Sequence, residues 1–142
     1  MCIALEPYAR HLFTTREWPL GSAGDRERAA VHYRDALAMF ASVRDVTGMM
    51  LSLVEIGNAL SEAGDVADAL RLESAAIAFE RRHGGTYLDA VRGLSERPDP
   101  KEAIGDDPIL AAAWAAAETL TLDEAVVQAM TLIDEGRWRA ER

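Results

Sequence analysis

A dipeptide that returns after forty residues constrains this chain more than any other feature: Gly24-Asp25 recurs as Gly64-Asp65. At the same offset Ala29 meets Ala69, Ala36 meets Ala76 and Leu37 meets Ile77. Self-similarity at a period of roughly 34 to 47 residues with helical patterning marks solenoids of paired helices, in which each pair buries its apolar face on the next. Each Gly-Asp is expected to open a helix. The glycine takes the left-handed backbone that ends the preceding helix, and the aspartate caps the free amides of the following one.

The residues between these marks carry the matching periodicity. Ala29, Tyr33, Ala36, Leu37 and Phe40 fall on one helical face, and Val66, Ala69, Leu70, Ala76, Ile77 and Phe79 form a broader stripe. Between them Met50, Leu53, Val54, Ile56, Gly57 and Leu60 make a third, so 49–82 reads as helix, tight turn, helix. Gly57 sits mid-helix, where glycine costs about 1 kcal/mol relative to alanine. Close approach of the partner helix is the expected compensation, with Ala69 and Ala76 as the small residues facing it.

Outside the repeat, 3–17 reads as a helix stopped by Trp18-Pro19 and paired with the helix after Asp25. Gly84-Gly85 breaks the chain, Thr86 can cap a short helix ending near Leu94, and 95–108 reads as a loop. Pro108, preorganised for a first turn, starts a helix over 109–118 that carries Trp114 toward the core. Thr121 and Glu124 have the spacing of a capping box before Ala125, Val126, Val127, Ala129 and Met130. The expectation is an all-α, right-handed helix-pair superhelix of about seven helices in one domain, 1–142. Residues 24–83 form its best repeat and 84–142 supply capping helices.

Composition narrows the functions. With 24 acidic against 15 basic side chains the net charge is -9, and Lys101 is the only lysine. Phosphate backbones are bound through Lys and Arg, so direct nucleic-acid binding is not expected, and no basic amphipathic face suits a membrane surface. Cys2 is the only cysteine, which rules out an intrachain disulfide. No apolar run approaches a membrane span and the first residues lack a signal-peptide pattern, so cytoplasmic residence is the expectation.

The stretch from Leu53 to Phe79, LVEIGNALSEAGDVADALRLESAAIAF, resembles a tetratricopeptide repeat, with Leu53, Ile56, Gly57, Leu60, Ala69 and Ala76 at its apolar and small positions. Together with AAAWAAAETLTLDEAVVQAM, residues 111–130, it is similar to the C-terminal repeat region of large bacterial ATPase and LuxR-type transcriptional regulators. That resemblance spans about residues 24–132. The chain has no glycine-rich phosphate loop and no DNA-binding module, so what the resemblance implies is a repeat region alone: a protein-interaction module in regulation or signalling.

The inner helix of the pair would then line a groove for a protein or peptide with Leu51, Val54, Glu55, Asn58 and Glu62. Asn58 matches the asparagine with which some tetratricopeptide proteins grip a terminal carboxylate. The basic residues such a clamp needs are replaced here by Leu51, Val54 and Ser61. A second reading is a small-molecule-sensing domain with Asn58, Glu55 and Arg82 converging in a pocket. A third is a self-assembling homodimer in which Trp138 takes part, and a homodimer is compatible with all three. His11, His32 and His83 lack metal spacing. Glu62, Asp65 and Asp68, like Asp106 and Asp107, read as acids at helix starts. No nucleophile motif is present, so neither catalysis, cofactor nor metal is expected.

Overall fold

The computed structural model describes residues 23–85, 88 and 100–137. Among them stand six helices and no strand: α1 (Ala23–Ser42), α2 (Val46–Glu62), α3 (Val66–Arg82), α4 (Pro100–Ile104), α5 (Pro108–Ala117) and α6 (Leu122–Asp134). The all-α class is therefore correct. The expected helix over 3–17 lies outside the described residues, as does all of the expected 86–94 helix except Leu88. One expectation is overturned in 95–108, where α4 forms a helical turn inside the stretch read as loop.

The chain turns on a twenty-residue beat, half the repeat visible in the sequence. Arg44, Gly64 and Gly84 all adopt left-handed backbone, with φ of 56°, 97° and 73°. At each, the next residue's amide reaches back to close the helix end: Asp45 N–H to the Phe40 carbonyl (2.9 Å), Asp65 N–H to Leu60 (2.8 Å) and Gly85 N–H to Glu80 (3.0 Å). Gly136, at φ 74°, repeats the motif after α6, with Arg137 N–H on the Leu132 carbonyl at 3.0 Å. This paired bonding satisfies carbonyls that a helix end leaves without partners. Asp45 and Asp65 then cap the following helices through the amides of Gly48 (3.0 Å) and Asp68 (3.4 Å).

Gly24-Asp25 does not do what its twin does. α1 already runs at Ala23, so the pair lies within the helix instead of ahead of it. Arg44-Asp45 takes the turn-and-cap role instead. Glu62 is likewise the last residue of α2 and not an acid at a helix start.

α2 lies between α1 and α3 and packs against both. On the α1 side, Gly48 admits the Phe40 ring so closely that an added Cβ would meet three ring carbons at 2.5–2.8 Å. On the α3 side, a Cβ at Gly57 would stand 3.2 Å from the Ala69 carbonyl oxygen and from Glu73 Cγ. The expected close approach at Gly57 is thus present, with Ala69 at the contact. α6 packs against all three helices of this layer. Arg34 on α1 and Asp65 and Asp68 on α3 reach it from the two sides. At about 100° per residue, Met49, Leu53, Ile56 and Leu60 form one stripe of α2, each buried. α6 contributes Leu122, Ala125, Val126, Ala129, Leu132 and Ile133 to the same core, and full burial of one such Leu, Ile or Val is worth about 1.5–3 kcal/mol.

Candidate functional site

α2 carries the residues expected to line a partner groove. They divide by burial. Leu51 is 4% exposed and Glu55 only 1%, so both belong to the packed layer. Glu55 accepts a hydrogen bond from the Tyr33 hydroxyl at 3.3 Å, which ties its carboxylate to α1. Val54 and Asn58 are half-buried and Glu62 is exposed. Asn58 and Glu62 have partners within the chain. What the fold leaves of the expected groove is therefore the line Val54, Asn58 and Glu62. Trp138 lies outside the described residues.

Arg82 was expected to converge with Asn58 and Glu55 in a pocket. Its guanidinium instead donates to the carbonyls of Glu118 (3.0 Å) and Leu120 (3.3 Å), capping the far end of α5. His83 stacks on Phe79 with ring centroids 4.2 Å apart, and its Nδ1 lies 2.9 Å from the Phe79 carbonyl oxygen. No group of three or more His, Cys, Asp or Glu side chains suited to a metal occurs among the described residues. No helix among them is long and apolar enough to cross a membrane.

α5 presents a surface that periodicity alone does not single out. Its ten residues, PILAAAWAAA, include no charged or polar side chain. Asp107 caps it through the amides of Ile109 (2.8 Å) and Leu110 (3.4 Å), with Pro108 in the first turn. Ala113, Trp114 and Ala117 face inward and are buried, confirming Trp114 as core, and the Trp114 carbonyl accepts a 2.7 Å hydrogen bond from the buried Ser74 hydroxyl on α3. The remaining face stays in water: Pro108, Ala111, Ala112, Ala115 and Ala116 are exposed, and Ile109 is 71% exposed. Exposed acids flank it, with Glu102, Asp106 and Asp107 near one end and Glu118 at the other. A helix apolar on every side ordinarily lies buried on every side. The signal was present in the sequence as the uncharged run 108–117, but the run reads equally well as a core helix.

Electrostatics concentrates where α6 meets the layer. Arg34 holds Asp134 through two contacts, Nε to Oδ1 at 2.7 Å and Nη2 to Oδ2 at 3.1 Å. That hydrogen bonding keeps the Asp134 carboxyl below the usual aspartate range. Arg44 pairs with Asp123 at 2.6 Å. Glu124 is held below its usual value by the Thr121 amide it accepts from, half of a complete capping box. Arg137 lies 2.6 Å from Asp65 and 3.0 Å from Asp68, and Asp68 also pairs with Arg71 at 2.6 Å. The Asp65–Arg137 contact is a close ion pair without an aligned hydrogen bond. Burial pushes the Asp65 carboxyl above its usual range; Asp68's charge adds to the rise and Arg137 opposes it.

Comparison with protein-family models, with curated proteins and with solved structures finds no match for this chain.

Proposed function

We propose that this chain is a protein-interaction module that docks another polypeptide on α5, in the regulatory or signalling setting that its resemblance to tetratricopeptide-like repeats implies. One observation carries the reading. A ten-residue helix without a polar side chain keeps most of one face in water, with Ile109 71% exposed at its start. An exposed apolar patch with a polar rim is the kind of surface that protein partners cover. Its alanines allow a partner's backbone to come close, while Ile109 supplies one large apolar side chain for a partner pocket.

The three-helix layer and α6 would then serve as a rigid platform. Val54, Asn58 and Glu62 are the part of the expected groove that could extend contact along α2. The test is an Ile109→Asp variant, which places a charge at a site already in water and so leaves the folding stability within about 0.5 kcal/mol of the parent. Immobilised wild-type chain should recover a protein from its native lysate that the variant loses. Equal recovery by both would remove α5 from the proposal. Recovery lost only on changing Asn58 and Glu62 would move the site to α2.

A further inference from the structure

We propose that the turn after α6 is a proton-released clasp, in which Arg137 is held against the start of α3 by Asp65 and Asp68 and lets go when Asp65 loses its charge, while α6 stays docked. The geometry separates the two attachments. α6 ends at Asp134, which Arg34 of α1 grips with two contacts. Two residues on, the chain reverses at Gly136 through left-handed backbone, and Arg137 swings onto α3. A glycine at the bend lets Arg137 leave without disturbing the helix before it.

The charges at the clasp are unevenly matched. From α3 come Asp65, Asp68 and Arg71; from the turn after α6 comes Arg137; Glu62, at the end of α2, already has a partner in the chain. Two carboxylates lie beside one guanidinium, with Arg71 satisfying the outer side of Asp68. Asp65's side chain is only 15% exposed, so water does little to stabilise its charge. The balance of burial and the Asp68 charge against Arg137 favours the neutral acid. The anchor at Asp134 has the opposite bias, since Arg34 favours its ionised form. As pH falls, Asp65 is therefore neutralised first. Arg137 then keeps only Asp68, whose charge it shares with Arg71. The helix itself remains held by Arg34–Asp134 and by its apolar stripe.

The experiment is a nuclear magnetic resonance titration of the full chain from about pH 7 to about pH 3, across the carboxylate range, following Asp carboxyl carbons and backbone amides together. The Gly136 and Arg137 amides should move with the midpoint of Asp65, at higher pH than Asp134 titrates, while the Ala129 and Leu132 amides hold still through that step. In Asp65→Asn the cap of α3 survives, because asparagine caps as well as aspartate. The Arg137 amide of this variant should already lie near its released position at pH 7. In Arg137→Gln, which leaves the cap untouched, the Asp65 midpoint should rise further. Arg137 following Asp134 instead of Asp65, α6 amides moving together with it, or an unshifted Arg137 amide in Asp65→Asn would each overturn the clasp.

Discussion

The contact between Gly48 and Phe40 sets up a stability experiment in which two opposed effects can be weighed. Replacing Gly48 by alanine removes a helix-disfavouring residue from α2, a gain of at most about 1 kcal/mol that shrinks near the helix start. The new Cβ would stand 2.5 Å from Phe40 Cδ1, 2.6 Å from Cγ and 2.8 Å from Cε1. Carbon atoms normally rest at about 3.5–4.0 Å, so the ring must retreat by roughly 1 Å. It has nowhere to go, since Phe40 is 1% exposed and its carbonyl accepts the Asp45 amide in the turn below. Overpacking of this kind costs about 1–3 kcal/mol. The net expectation for Gly48→Ala is a loss of about 1–2 kcal/mol, or a fall of roughly 3–8 °C in Tm for a chain of this size. Urea unfolding of the four members of a double-mutant cycle with Phe40→Leu is the assay. In the leucine background the added methyl should cost less than half as much, because the clashing ring edge is gone. A Gly48→Ala variant more stable than the parent, or one with the same penalty in both backgrounds, would refute the packing account.

Other expectations follow from single contacts. Ser74→Ala should cost about 1 kcal/mol in urea unfolding by removing the hydroxyl that donates to the Trp114 carbonyl and joins α3 to α5. Glu80→Ala should cost about 1–3 kcal/mol, since both carboxylate oxygens, 3.1 Å away, accept the Leu88 amide, which would be left unpaired; Glu80→Gln should restore most of the loss. The folded-state carboxyls of Asp134 and Glu124 lie below their unfolded values. Their contribution to stability is therefore present above the unfolded pKa and lost as pH falls through the folded one. Arg34→Gln should return the Asp134 carboxyl midpoint to the ordinary aspartate range and leave Glu124 where it is. Asp65 has the reverse sign: its folded carboxyl lies above the unfolded value. Its ionisation therefore costs stability above that value, and acid relieves the cost; in Asp65→Asn, stability measured by urea unfolding should lose that part of its pH dependence.

The helices were legible where apolar spacing, caps and turns agreed. Asp65, Asp107 and Thr121 each cap the helix that their position implied, and Gly57 meets the close neighbour that its presence mid-helix demanded. Two features escaped because they depend on what packs where. Arg44 occupies left-handed backbone that a sequence reader assigns to glycine, so the twenty-residue beat was hidden behind a forty-residue one. Burial also divided the expected groove. Glu55 reads as a surface acid until Tyr33, twenty-two positions away, is seen to donate to it, and Leu51 lies in the packed layer. The exposed face of α5 was the mirror case, an apolar run that reads as core yet stands in water, since apolarity alone does not say which sides of a helix have neighbours.

The most direct test of the interaction-module reading is site-specific photocrosslinking in the native lysate, with a photoreactive side chain placed in turn at Ile109 and at Val31, exposed on α1. The account predicts a discrete adduct with one other polypeptide from position 109 and none from position 31. Adducts of equal yield from both positions, or none from position 109, would contradict it.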